Sequence, residues 1–509
     1  MSEQSPQIIS IEFLDKKNQP EIFLNTIHAK EALSHSFELE ARIIANAELD
    51  VSDLLGSKAK VQLEIVEEKT SFYGIVSSIS ILDRLDNKSY FYQLTLVPEF
   101  KLLDYSGQNQ VYATDGKSTI VDILKDELAA TSKKKSRPGE SAAHRNIEAD
   151  MRPVSSDYAK LDFVMQYRES DFNFINRQCE RFGIFYMFDH SDNGQGKIVF
   201  GDKNENFSKI TGKNIDSNLT YHHESQSVGE GTLAVRSFTA IYNLASSHIR
   251  LQDYNPDNPE LDLGVVKDTS LANQGTRVLY GENYKDKASG ETIAQIRSQQ
   301  VSAERVQFSG VSNIPLIRPG FIFDLIGCST RKLEQKYIVI EVEHKIVQPT
   351  PVGFGGSKET SPYRNYFKCI PYSTPFRPAM VTPKPVVNGF LLGVIEGSSS
   401  AKRAELDDQG RYRIRLLDDE SKLEGQSAIQ HIRKIEPYGG GDGLGAHATL
   451  TVGTEVLIGF VNGDPDRPLV LGSLSNGKKT NPVVQGNQQV AFRMKTPSGV
   501  VVQICDGKS

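Results

Sequence analysis

Paired carboxylates are the side chains of this 509-residue chain whose types and spacing come nearest to chemistry. Asp407-Asp408, Asp418-Asp419-Glu420 and the spaced pair Asp464/Asp466 invite comparison with glycosidic hydrolysis. That reaction needs two carboxylates across a sugar cleft, one with its pKa raised by burial. All three groups fall among turn-forming residues, so the sequence predicts solvated turns in which every carboxyl stays ionised. His222-His223 precede Glu224. Neighbours on a strand point to opposite faces, and no third ligand follows at a recognisable spacing, so polar strand or loop residues are expected in place of a metal site. The glycine-rich run 439–445 lacks both the Gly-Lys-Ser/Thr ending and the following helix of a phosphate loop. It leads instead through Ala446-His447-Ala448-Thr449 into a strand, and a flexible barrel loop is expected. There is no GxSxG elbow, and the scattered Cys and His residues suggest no nucleophile–base pair. The expectation is a chain without catalytic, metal-binding or cofactor-binding residues.

Composition narrows the class. Charged residues make up 24% of the chain and the net charge is −6, which suits a soluble globular protein and does not favour nucleic-acid binding. The basic run Lys133-Lys134-Lys135-Ser136-Arg137 beside Pro138-Gly139 reads as a solvated loop. Cys179, Cys328, Cys369 and Cys505 are far apart and form no CxxC pair, which argues against structural zinc or a disulfide framework and suits a reducing cytoplasm. The N-terminus has neither a basic n-region nor an apolar h-region, and no apolar run reaches the roughly 18 residues of a membrane span. No stable membrane insertion is expected, and any export would use something other than a cleaved signal peptide.

The length implies roughly three or four domains. Residues 1–98 read as strands: Ile8–Phe13, Ser36–Ala41, Lys60–Ile65, Phe72–Val76 and Tyr90–Pro98, a barrel or strongly curled sheet. Residues 99–215 change to α+β, with a helix from Ser118 to Leu128, a mobile loop near 131–150, and a helix capped by Ser170 and stopped at Gly183. Strands return over 216–375, interrupted by a helix at Glu291–Glu304. The order of Lys336–Val342, a loop and Tyr366–Pro371 echoes Phe72–Ile79, a turn and Tyr90–Pro98, which suggests two related barrels. Five prolines between 371 and 385 mark a stiff linker at 376–387. Short strands over 388–478 suit an OB-type barrel, and 479–509 alternates again with a turn at Pro497-Ser498-Gly499.

Within the OB segment, Gly453-Thr454-Glu455-Val456 opens a strand and Gly463-Asp464-Pro465-Asp466-Arg467-Pro468 a tight acidic turn. Gly463 can take a positive φ, the two aspartates can bond their own backbone, Pro465 presets the turn, and Leu469–Gly472 returns as a strand. This hairpin resembles the GTEVL…GDPDRP hairpin of the VgrG family. Gln166-Tyr167-Arg168-Glu169-Ser170-Asp171-Phe172, continuing through Arg181-Phe182-Gly183-Ile184-Phe185-Tyr186, resembles that family's QYRESDxxF…EExGIxYxF unit, and Gly74-Ile75-Val76 completes three motifs in order along nearly the whole chain. The resemblance implies a non-enzymatic homotrimeric spike of a type VI secretion system, mainly β with α+β insertions. Its parts would be two hub-type β-barrels, an OB-fold barrel and the start of a trimeric β-helical needle.

The implied role is to adapt a hexameric Hcp-like tube to a threefold needle, puncture target envelopes and carry effector proteins, in contact with baseplate proteins. Such a spike would assemble in the cytoplasm and leave with the contractile machine. The motif residues would then be structural determinants. Two departures stand out: His431–Tyr438 replaces the Trp-bearing segment common in the OB domain, and the sequence stops at Ser509, where a needle should begin. A PAAR-type tip protein is expected only if the needle is complete. The rival readings are the hub-spike of a contractile phage tail or extracellular injection particle, a cell-wall-acting hydrolase, and a carbohydrate-binding OB module.

Overall fold

A computed structural model describes residues 7–16, 20–82, 89–113, 116, 118–129, 147–223, 231–269, 275–350, 361–398, 403–421, 428–441, 443–484 and 491–505. The chain divides into two compact units, one of segments 1–106, 120–159 and 170–383, the other of segments 107–119, 160–169 and 384–509. The second unit thus takes two short pieces from the stretch 99–215 that the sequence reads as one segment. Their side chains explain why: Val111, Met165 and Tyr167 are buried in the core of that unit, a long-range pairing that no local pattern reveals. The basic run 133–137 and Glu224 lie outside the described residues.

The first unit is built on one large sheet. Strands β1 (Gln7–Phe13), β2 (Ile22–Ala32), β3 (Glu38–Ala45), β4 (Lys58–Ile65), β5 (Glu68–Ile81) and β6 (Tyr90–Val97) follow the order β1-β4-β5-β6-β3-β2. Alternation sets their faces: β4 buries Ala59, Val61, Leu63 and Ile65 and turns the residues between them outward. These pack with Phe13, Leu39, Ile43, Phe72, Leu94 and Leu96 as the first barrel's core. A one-turn helix, α1 (Val51–Leu54), capped by Asp50, is too short to leave a periodic trace in the sequence.

A second barrel uses β7 (Val235–Tyr242), β8 (Val306–Ser312), β9 (Phe321–Ile326), β10 (Lys336–Val347) and β11 (Ser361–Pro371), in the order β10-β11-β8-β7 with β9 also on β10. Its core is aromatic, with Phe238, Phe308 and Phe323 around Tyr337. The barrels share the sheet because β2 pairs antiparallel with β10, from Thr26 opposite Val347 to Ala32 opposite Glu341. Helix α2 (Ile120–Leu128) begins two residues later than Ser118, which instead joins a short strand paired with Lys160–Leu161. Helix α3 (Asp171–Phe182) leads into an antiparallel pair, Phe185–Asp189 with Lys197–Gly201. Helix α4 (Lys287–Arg305), capped by Asp286, packs its Ala294 and Val301 with Ile249 and Leu251 of a three-stranded sheet.

In the second unit, β12 (Leu391–Ile395), β13 (Tyr412–Leu416), β14 (Ile429–Ile432), β15 (Glu455–Phe460) and β16 (Pro468–Leu474) form a sheet in the order β14-β13-β12-β15-β16. Its ends meet where Val470 N–H donates to Arg433 C=O and Ile435 N–H to Val470 C=O, closing a small barrel around Ile395, Tyr412, Ile414, Val456 and Ile458. The glycine-rich run is not the free loop expected. Tyr438–Gly441 and Leu444–Ala446 pair as a small hairpin, and Gly441 and Gly443 take positive φ at its turn. The tail is an antiparallel hairpin of β17 (Ala491–Lys495) and β18 (Val501–Cys505).

Candidate functional site

The first motif is a strand-to-helix corner. Its leading residues belong to the second unit: Tyr167 is buried in the barrel core, while Arg168, at φ 46°, is exposed with its guanidinium 5.3 Å from the Tyr167 ring. Asn109 Oδ1 accepts the Arg168 N–H at 2.9 Å, and the Glu169 carbonyl accepts from Gln166 Nε2 at 3.3 Å. The helix belongs to the first unit. Ser170 Oγ caps it, accepting the Asn173 N–H at 3.2 Å, and donates to Asp104 at 2.9 Å. Asp171 is 1% exposed and accepts from Ser106 Oγ at 2.6 Å. Phe172 packs at 5.2 Å on Phe100. Gly183 ends the helix at φ +68°, where a Cβ would lie 2.9 Å from Ile296. Glu180, whose pKa burial raises, accepts from Val381 N–H, Thr382 N–H and Thr382 Oγ1 and so fixes the proline-rich segment. Ser170, Asp171, Phe172 and Gly183 are thus engaged in capping, buried hydrogen bonding and packing.

The second motif corrects a sequence expectation. Gly453 (φ +77°) and Thr454 open β15, Glu455 accepts from Asn476, and Val456 is fully buried. At the turn Gly463 takes φ +71°, and a Cβ there would meet Val386 at 2.6 Å. Asp464 and Asp466 were expected to be solvated. Instead the Asp466 side chain is 2% exposed and that of Asp464 13%, and Lys384 Nζ bridges them at 2.6 and 3.0 Å. Asp466 also accepts the Met165 N–H at 3.0 Å, and Asp464 accepts the Asp466 N–H at 2.9 Å. Arg467 N–H donates to the Asp464 carbonyl, while Pro465 and Pro468 are buried. The turn is a clasp on its own unit, because its carboxylates find a cation and backbone donors brought from elsewhere in the chain.

Of the other candidate carboxylates, Asp408 is exposed, while Asp407, Asp418 and Asp419 are engaged. Asp407 accepts from Arg411 Nε at 2.6 Å and pairs with His431 at 2.8 Å. Asp418 and Asp419 accept from Asn109 and from the Val111 N–H. His447 lies between Glu436 at 2.7 Å and the Tyr412 hydroxyl at 3.2 Å, while His222 continues a strand edge through its N–H to Val235. Among the described residues, no three His, Cys, Asp or Glu side chains gather to hold a metal ion.

The sequence reading missed a buried polar cluster. Glu31 of β2 accepts from Arg318 Nε at 3.0 Å and lies 3.0 Å from His344 Nε2 of β10. His344 Nδ1 meets the Tyr363 hydroxyl at 2.7 Å. Arg318 also donates to the Ser71 carbonyl and stacks 4.3 Å over Phe72. His190 accepts the Tyr73 N–H at Nδ1 and has Nε2 at 3.9 Å from Glu31. Burial alone would raise the Glu31 pKa, but Arg318 and His344 outweigh it and hold the carboxyl well below its usual range. Burial lowers both histidines, so they are neutral near pH 7. The cluster fastens one barrel to the other. Its members are hundreds of residues apart, and only the lone Glu31 in an otherwise half-apolar strand hinted at it.

Comparison with known proteins places this geometry. The family model described as phage tail baseplate hub (GPD) matches residues 30–350, and that of the type VI secretion system/phage-baseplate injector OB domain matches residues 403–474. The actin cross-linking toxin VgrG1 of Vibrio cholerae is 26% identical over 494 residues, covering 93% of this chain and 42% of that protein. The type VI secretion system spike protein VgrG1b of Pseudomonas aeruginosa is 24% identical over 473 residues, covering 90% and 59%. The chain therefore spans about half the length of these relatives. Among solved structures, a type VI secretion component of E. coli, described as similar to T4 bacteriophage tail proteins gp27 and gp5, superposes with a TM-score of 0.62 at 19% identity, over 91% of this chain and 100% of that one. The half-lidded Francisella PdpA-VgrG complex gives 0.63 at 11%, over 99% and 84%. These likenesses are of fold.

Proposed function

The chain belongs to the phage tail baseplate hub family, with an injector OB domain following the hub, and from that premise we propose that it is the hub and spike base of a type VI secretion apparatus. It works as a homotrimer and turns over no substrate. The observation that carries this reading is the paired barrel within one sheet. Three copies would supply six similar barrels to a hexameric, Hcp-like tube, while a single OB barrel per chain would continue at threefold symmetry. A β-helical needle, a PAAR-type tip where that needle is complete, baseplate proteins and carried effectors complete the assembly. The particle forms in the cytoplasm and is driven outward by sheath contraction.

Two further features support a mechanical part. In each carboxylate pair that a hydrolase would need, at least one member is engaged in a structural contact in the OB unit. In the tail hairpin, Phe492 opposes Ile504 and Met494 opposes Val502, so one face carries four exposed apolar side chains. A two-stranded hairpin with such a face is marginal alone and gains by meeting its own copies about a shared axis. Light scattering on the purified chain is expected to give about 170 kDa, three times its 56.5 kDa; a stable monomer across micromolar concentrations would sink the reading. A phage tail or other injection particle would use the same hub, and the tube protein that co-purifies tells the machines apart.

A further inference from the structure

The two barrels follow one plan closely enough to be aligned residue by residue. Pairing slips between β5 and β6, where Val76 faces Leu96 and Ser78 faces Thr95; an equivalent slip lies between β10 and β11, where Val339 faces Cys369 and Glu341 faces Lys368, and β10 adds one more beyond it at Lys345/Val347. A second slip recurs between β2 and β3 at Leu24/Thr26 and between β7 and β8 at Val235/Ser237. The strands between agree: Leu39 faces both Leu96 and Ala29, and Phe308 faces both Cys369 and Ala240. Bulges fix register, so these matches make His344 equivalent to Ile81, Val342 to Ile79, Ala29 to Ala240 and Glu31 to Tyr242.

Among the described residues, only one of the two equivalent junctions is closed. There β2 covers the far half of β10, with Glu31 opposite Val342 and Ala29 opposite His344. Among the described residues, the far half of β5, Ser78–Ile81, pairs only with β6, and β7 from Ser237 to Tyr242 pairs only with β8. Exposure follows the difference. His344 and Val342 are 0% exposed and Glu31 7%, whereas Ile81 is 69% exposed and Tyr242 75%. Upstream of the open edge, burial is alike, with Leu24 at 2% and Val235 at 0%. Residues are bare where their counterparts have a neighbouring strand.

We propose that β7 of one copy pairs antiparallel with the far half of β5 in the next copy, in the register that β2 and β10 use internally. Tyr242 then lies opposite Ile79, Ile241 opposite Ser80, Ala240 opposite Ile81 and Thr239 opposite Leu82. This deepens the self-assembling reading above and rests on it. The two junctions also differ in chemistry. The internal one is ionic, with Glu31 on Arg318 and His344, and Glu343 between His28 and Lys345. The open one offers Ile79, Ile81, Leu82, Ile241 and Tyr242. Placing β2 of another copy on β5 would bury Glu31 away from Arg318, a strongly unfavourable exchange. The ring must therefore alternate first and second barrels, internal and intermolecular junctions.

The test uses the full chain with Ile81→Cys and Ala240→Cys together, treated with a short thiol cross-linker and compared with each single variant. Species of two and three linked chains are expected, with none longer. Ile81→Cys with Ile241→Cys, one residue out of register, is expected to link at least tenfold less. An intact multimer that fails to link at 81/240, or links better at 81/241, overturns the register while leaving the assembly reading standing. A monomeric unsubstituted chain overturns both. Tyr242→Asp, at a position exposed in the single chain, is expected to reduce the mass to one chain that still unfolds cooperatively, at a melting temperature that no longer depends on protein concentration; retention of the full multimer would count against the proposal.

Discussion

Asp466 shows how much a single side chain can hold when its partners come from afar. Its carboxylate is almost wholly buried, faces Lys384 at 3.0 Å, and accepts the Met165 N–H at 3.0 Å. Removing it strands the Met165 N–H and takes one of two carboxylates from Lys384, which keeps Asp464 at 2.6 Å, so Asp466→Ala is expected to cost the second unit about 1–3 kcal/mol. Asp408, exposed in another turn of the same unit, serves as the control, with Asp408→Ala within about 0.5 kcal/mol of the parent. Urea midpoints measured side by side check this, and equal shifts would mean the clasp is incidental. Gly463 belongs to the same argument, since its positive φ and the 2.6 Å approach of Val386 leave no room for a Cβ. Spacing and residue type showed that a turn lies here. They could not show its burial, because Lys384 and Met165 are about 80 and 300 residues away.

At the scale of elements, the junction of β2 with β10 couples barrel packing to protonation. His190 and His344 are buried and neutral, and their folded pKa values lie below the ordinary value of 6.5. Below about pH 6.5 the unfolded chain takes up protons that the folded one refuses, so stability present above that pH is lost as pH falls. The slope is expected to approach about 1 kcal/mol per histidine for each pH unit below 6.5. Denaturation midpoints at pH 7.5, 6.5 and 5.5 measure it, and His344→Gln should roughly halve the slope. A midpoint unchanged down to pH 5.5 would contradict the assignment. Element types were largely legible: β4 alternates strictly, Ser170 and Gly183 bracket α3, and α4 lies within a few residues of its expected place. The strand β2 was not, because its slip at Leu24/Thr26 breaks the alternation and the buried Glu31 breaks the apolar face.

For the molecule as a whole, assembly should depend on surface that one copy leaves bare. Phe492 and Ile504 face each other across the tail hairpin at 62% and 64% exposure. Burying side chains of this size contributes roughly 1.5–3 kcal/mol each, so Phe492→Ser with Ile504→Ser is expected to raise the trimer dissociation constant by tenfold or more. Sedimentation over a concentration series reads the effect, and the melting of the OB barrel serves as an internal reference. An unchanged constant would place the trimer contact elsewhere in the chain.

Local order determined what the sequence could settle by itself: the β character, the positions of the main helices, the two turn-forming motifs and their family likeness. These depend on alternation, caps and glycine or proline conformations, all encoded within about a dozen neighbouring residues. The tertiary structure alone decided that 107–119 and 160–169 leave their neighbours for the OB unit, that the acidic turn closes on Lys384, and that Glu31 bolts one barrel to the other. Each of these joins groups far apart in the chain. Such a pairing is selected by burial and charge once the backbone has brought the partners together, and a linear pattern carries no record of it.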